Sequence, residues 1–145
     1  MIITSVANKK LVTDVTGAST ANGARVQLYS SNNTNAQKYR FESIGNGTYK
    51  IINANSGKVL DVAGGSTANG AALQQYTSNN TVAQQWLVAK APLTLRERLN
   101  ETAAKHRQDL PDGTYTFGSK LNTSMKMDVS GASRSNYGNV QIWAK

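Results

Sequence analysis

The chain has 145 residues, a formal net charge of +8 and no cysteine. That length is one domain's worth, and the lack of cysteine excludes disulfides and thiolate metal sites. The 16 basic residues are spread along the chain with no run longer than two, which describes a basic solvated surface suited to an anionic cell wall rather than a nucleic-acid-binding face.

Taken in chain order, the residues spell one unit nearly three times. The first copy, "DVTGASTANGARVQLYSSNNTNAQKY", starts at Asp14. "IGNGTY" (Ile44–Tyr49) follows as a tight turn, because Asn and Gly tolerate positive φ. Next come the short alternating stretches "TYKIIN" (Thr48–Asn53), "KVLDVA" (Lys58–Ala63), "ALQQY" (Ala72–Tyr76) and "QQWLV" (Gln84–Val88), each read as a strand and separated by Gly, Asn and Ser clusters. The last three belong to a second copy, whose repeat begins at Asp61, 47 residues after the first. Residues 92–113 then change grammar. Leu95, Leu99 and Ala103 form one apolar stripe, Thr94 and Glu97 a capping box, and Pro111 with Gly113 a stop, so an α-helix is expected near residues 94–109. The third copy, "DVSGASRSNYGNVQIW", begins at Asp128 and reaches Lys145 without its "SNNT..AQ.W" stretch.

Leu, Ile, Val and Phe total only 28 residues, so the core is lean and the fold must rest on short strands and many turns. Faithful repetition argues against disorder and for an architecture of symmetric units. No apolar stretch reaches 18 residues and no charged n-region follows Met1, so neither a membrane span nor a signal peptide is expected here.

Catalysis is not expected. Apart from the three repeat aspartates, the acidic residues are Glu42, Glu97, Glu101, Asp109 and Asp112, and none forms a convincing pair for glycoside hydrolysis. His106, the single histidine, lies between Lys105 and Arg107 on the expected helix surface. No phosphate-cradling loop or metal-ligand spacing is present, and no cofactor is implied.

Four strands per unit, threefold repetition and the endings Gln37-Lys38-Tyr39 and Gln84-Gln85-Trp86 together resemble the ricin-type β-trefoil lectins. The upstream "G-T-Y" at Gly47–Tyr49 and Gly113–Tyr115 belongs to the same pattern, and Gly57–Trp86 is similar to the bacterial branch of that family. The resemblance covers residues 1–90 and 113–145 and implies an all-β trefoil, with residues 91–112 as a helical insertion or linker. The two flanking parts read either as one trefoil or as pieces of two in tandem.

The resemblance implies a non-catalytic sugar-binding module with one shallow pocket per unit. In each, an Asp accepts hydrogen bonds from adjacent hydroxyls, an aromatic ring 15 residues later stacks on the sugar, and Gln and Asn complete the polar contacts. The implied residues are Asp14, Gln27, Tyr29 and Asn35; Asp61, Gln74, Tyr76 and Asn80; and Asp128, Gln141 and Trp143. Ala36 and Ala83 stand where galactose-binding members have Asn. The implied partners are a galactose-type sugar, xylan or cell-wall glycan, met outside the cell or at its surface by a module of a longer protein. Gln37, Gln84, Tyr39 and Trp86 are expected to hold the fold together. A protein-interaction or assembly trefoil is the competing reading, and the shortened third copy suggests self-association, including a swapped dimer, through its open strand edge.

Overall fold

The computed structural model describes residues 1–90 and 115–144; the helix expected near residues 94–109 lies outside them. The described strands are β1 (Leu11–Val15), β2 (Val26–Ser30), β3 (Tyr39–Gly45), β4 (Thr48–Asn53), β5 (Val59–Val62), β6 (Ala71–Tyr76), β7 (Trp86–Lys90), β8 (Tyr115–Ser119), β9 (Met125–Val129) and β10 (Val140–Ala144). Strands β4-β5-β6-β10-β9-β8-β7 pair in that order, and β4 also pairs with β7, so the seven close on themselves as a barrel. Closure removes strand edges that would otherwise be open to aggregation. The architecture is an all-β trefoil.

Each copy of the repeat supplies one hairpin, β1–β2, β5–β6 and β9–β10, and these define lobes 1, 2 and 3. The hairpins are joined around a pseudo-threefold axis by one repeated contact. The backbone N–H of Gly23 in lobe 1 donates to the Gln75 carbonyl of lobe 2 (2.9 Å), that of Gly70 in lobe 2 to Ile142 of lobe 3 (3.0 Å), and that of Tyr137 in lobe 3 to Leu28 of lobe 1 (2.7 Å). The asparagine before each of these residues repeats the hand-off with its side chain. Asn22 Oδ1 accepts the Thr77 N–H, Asn69 Oδ1 the Ala144 N–H, and Asn136 Oδ1 the Ser30 hydroxyl. The turn needs left-handed backbone (φ +79° at Gly23, +82° at Gly70), which glycine adopts without a Cβ penalty. Tyr137 adopts it too, at φ +65°.

Leu11, Val15, Val26, Leu28, Ile51, Leu60, Val62, Leu73, Trp86, Val140 and Ile142 pack together along the axis. Gln37, Gln75 and Gln84 are as buried as the hydrophobic residues, which is tolerable only because their amides are bonded. Gln75 Nε2 donates to the Ser19 and Ala21 carbonyls, and its Oε1 accepts from the Ser56 hydroxyl.

Most expected strands match. Residues Thr48–Asn53 form β4, and the turn of "IGNGTY" places Asn46 and Gly47 at positive φ. The strand expected from Gln84 instead starts at Trp86, because Gln84 ends a single 3-10 turn, Val82–Gln84. Strand β5 is buried along its whole length rather than alternating, since that turn covers the face of β5 turned away from the core.

Candidate functional site

In lobe 2 the repeat residues converge. Asp61 lies on β5 opposite Gln74 on β6, so strand register alone brings their side chains together. Gln74 Nε2 donates to Asp61 Oδ1 at 2.7 Å, and Gln84 Nε2 donates to Oδ2 at 3.1 Å. Gln84 is itself fixed, donating also to the Thr77 carbonyl (3.0 Å) and accepting the Asn79 N–H (2.9 Å) at Oε1. Asp61 is thus buried (5 % exposed), its carboxylate braced by two neutral amides. A carboxylate offers about four lone-pair directions, so two remain for ligand donors.

Above this carboxylate lies a cavity of about 450 Å³, lined by Asp61, Gly65, Gln74, Tyr76, Asn79 and Ala83, with Val82 and Leu121 completing its apolar wall. Tyr76 at its rim is 39 % exposed, an aromatic plate free to receive an apolar face. Asn79, rather than the expected Asn80, lines the cavity. Asn79 Oδ1 accepts from the Thr81 N–H and hydroxyl, which leaves its NH2 as the group for a ligand. Asn80 instead accepts a hydrogen bond from Lys50 Nζ at 2.7 Å.

Lobe 1 repeats the brace. Gln27 Nε2 donates to Asp14 Oδ1 (3.0 Å) and Gln37 Nε2 to Oδ2 (3.2 Å). Asn35 opens the 3-10 turn Asn35–Gln37, the position that Val82 holds in lobe 2. Its aromatic residue differs in setting, because Tyr29 packs edge-on against Tyr137 of lobe 3 with ring centroids 5.4 Å apart. The neighbouring Tyr137 hydroxyl pushes the Tyr29 phenol above the ordinary tyrosine range, with desolvation and Asp14 adding to the effect. In lobe 3 the set is looser. Gln141 Nε2 reaches Asp128 Oδ2 at 3.4 Å, Asp128 is exposed, and Trp143 is 46 % exposed.

Two residues near the sites were not singled out from the repeat pattern. Leu121, in the β8–β9 turn, walls the lobe 2 cavity. Tyr137 flanks Tyr29; the signal was present, since "SNYG" stands where the first two copies read "ANGA". Gln37, Gln84 and Trp86 are fully buried, and Trp86 Nε1 donates to the Leu60 carbonyl at 3.1 Å, as expected of residues that hold the fold. Ala36 and Ala83 are buried as the middle residues of the 3-10 turns Asn35–Gln37 and Val82–Gln84.

Comparison with known proteins fits this geometry. The chain is similar to a designed threefold-symmetric protein, ThreeFoil (30 % identity, TM-score 0.79, covering 98 % of this chain and 86 % of that one). It is similar to part of 1,3Gal43A, an exo-β-1,3-galactanase from Clostridium thermocellum (28 % identity, TM-score 0.79, 99 % of this chain but 27 % of the enzyme). The ricin B-like lectin of Macrolepiota procera, solved with lactose, shares the fold at 19 % identity (TM-score 0.71, covering 99 % and 84 %). No curated protein matches the chain. The profile of the family described as "Ricin-type beta-trefoil lectin domain-like" matches residues 1–76 and 35–143. That match spans well over half of the chain, and the chain belongs to the ricin-type β-trefoil lectin-like family.

Proposed function

We propose that the protein is a non-catalytic glycan-binding module, acting outside the cell or at its surface, whose best-formed site is the lobe 2 cavity. One observation carries this reading: the Asp61 carboxylate, held between Gln74 and Gln84, faces a cavity of about 450 Å³ rimmed by exposed Tyr76. Adjacent sugar hydroxyls donate to Asp61, the C–H face of the ring rests on Tyr76, and Gln74 and Asn79 contact further hydroxyls. Lobe 1 uses Asp14, Gln27 and Tyr29, with Asn35 nearby, and lobe 3 uses Asp128, Gln141 and Trp143. The exposure of Tyr76 and Trp143 favours this reading over an assembly trefoil, in which the repeat aromatics would be core. Buried Ala83, where galactose-binding members have Asn, leaves the choice among a galactose-type sugar, xylan and a cell-wall glycan to experiment.

Affinity electrophoresis through galactan, xylan and cell-wall polysaccharide tests the reading. The protein is expected to be retarded by at least one, and Asp61→Ala or Tyr76→Ala to weaken the retardation by tenfold or more while the fold is kept by circular dichroism. Unretarded migration in all of them overturns it.

A further inference from the structure

The three lobes carry the same site residues but differ in what the adjoining lobe sets beside them. Gln27 of lobe 1 lies opposite Asn139 of lobe 3 in an antiparallel bridge. The Leu28 N–H donates to the Gly138 carbonyl and the Tyr137 N–H to the Leu28 carbonyl, which carries that register on to Tyr29 and Tyr137. Directly opposed residues share one face of a sheet, so Tyr137 stands on the face that carries Gln27 and Tyr29. The same register sets Arg25 opposite Gln74 and Ala72 opposite Gln141, and there Gly23 and Gly70 hold the position of Tyr137. A Cβ built on Gly23 comes within 3.8 Å of Gln74 Oε1, and one on Gly70 within 3.8 Å of Gln141 Oε1 and 3.9 Å of Trp143. A side chain at this position therefore projects toward the neighbouring lobe's site, and of the three sites only that of lobe 1 receives one. Tyr137 is a costly residue for the position. It holds φ +65°, a conformation that glycine adopts without strain, and its ring is 67 % exposed. Its gain within the fold is an edge-on contact with Tyr29, ring planes 70° apart. Glycine serves the same turn twice, so the turn itself does not require a ring.

We propose that Tyr137 is a second stacking plate for the lobe 1 site, supplied across the seam by lobe 3, and that it adds a subsite for a second sugar ring. The inference rests on the glycan-binding reading and extends it. One ring is held by Asp14, Gln27 and Tyr29, and the next ring of the same chain lays its C–H face on Tyr137. Asn139 stands beside Gln27 with its Oδ1 accepting from Arg25 Nη1 at 3.1 Å, which leaves its NH2 to donate to a hydroxyl of the second ring. Lobes 2 and 3, with Gly23 and Gly70 at this position, offer one plate each, Tyr76 and Trp143. Lobe 1 therefore selects for chain length, and the other two lobes do not.

Titration of the ¹⁵N-labelled protein with galactose and galactobiose, xylose and xylobiose, and N-acetylglucosamine and chitobiose tests this, because amide shifts report each lobe separately. For the sugar that binds, amides of residues 27–30 and 136–139 are expected to saturate at about tenfold lower disaccharide than monosaccharide concentration, as one more buried apolar face would give. Amides of residues 74–76 are expected to respond to both alike. Tyr137→Gly, which installs the residue of the other two lobes, is expected to abolish the length preference in lobe 1 while native circular dichroism and the lobe 2 response are kept. Tyr137→Phe is expected to retain the preference, since the ring and not its hydroxyl carries it. Shifts in lobe 2 with no length preference in lobe 1 overturn this inference alone. So does a preference that survives Tyr137→Gly or is lost in Tyr137→Phe, or tighter monosaccharide binding in Tyr137→Gly, which would make the ring a cover over the site. No shift in any lobe with any of these sugars overturns the glycan-binding reading and this inference with it.

Discussion

Tyr39 and Trp86 hold equivalent positions but settle their polar atoms differently. The Trp86 N–H has the Leu60 carbonyl, whereas the buried Tyr39 hydroxyl has no hydrogen-bond partner among the described residues. Burial pushes the Tyr39 phenol well above its ordinary value of 10.0. A group whose folded pKa is raised contributes stability that is full below the unfolded value and is lost as pH rises from there toward the folded value. Stability in urea is therefore expected to fall above about pH 10, and Tyr39→Phe to flatten that fall. At neutral pH the same variant should gain roughly 1 kcal/mol by removing an unpaired buried hydroxyl. A steeper alkaline loss in Tyr39→Phe would contradict this. At this scale the sequence was informative wherever a residue's role repeats. Asp14, Asp61 and their glutamines could be read directly, because register across a hairpin puts position i beside its partner. Leu121 could not, since it reaches the lobe 2 cavity from the β8–β9 turn, outside the second copy of the repeat.

Among the elements, the hairpin turns bear the most constraint. Gly70 adopts φ +82°, and a Cβ built there meets only Gln141 Oε1 at 3.8 Å and Trp143 at 3.9 Å, ordinary contact distances. The cost of Gly70→Ala is thus the left-handed backbone alone, about 1–2 kcal/mol, and it is expected as a lowered urea midpoint with unchanged slope. Tyr137 bears that backbone cost in lobe 3 and places a second ring beside Tyr29. The strands themselves were legible from short alternating runs set between Gly and Asn clusters. The start of β7 was not, because Gln84 reads as part of an alternating run yet spends both ends of its amide on a turn.

For the whole molecule, repetition made the trefoil legible before any strand was placed, while the inequality of the lobes emerges from geometry. Asp61 has two braces at 3.1 Å or less, Asp128 one at 3.4 Å beside an open cavity. Local stability should follow, so native-state hydrogen exchange is expected to be slowest in β5, β6 and β7 and faster in β9 and β10. Uniform protection across the lobes would refute that ordering. The ring of turns has a temporal consequence as well. Lobe 1 leans on lobe 2, lobe 2 on lobe 3, and lobe 3 returns to lobe 1 through pairs such as Ser30–Asn136, separated by 106 residues in the chain. The circle cannot be completed by growing outward from one end, since its last contact joins the most distant segments. Closing so long a loop must come before its reward, which makes folding slow and leaves any two-lobed intermediate with an unfinished seam.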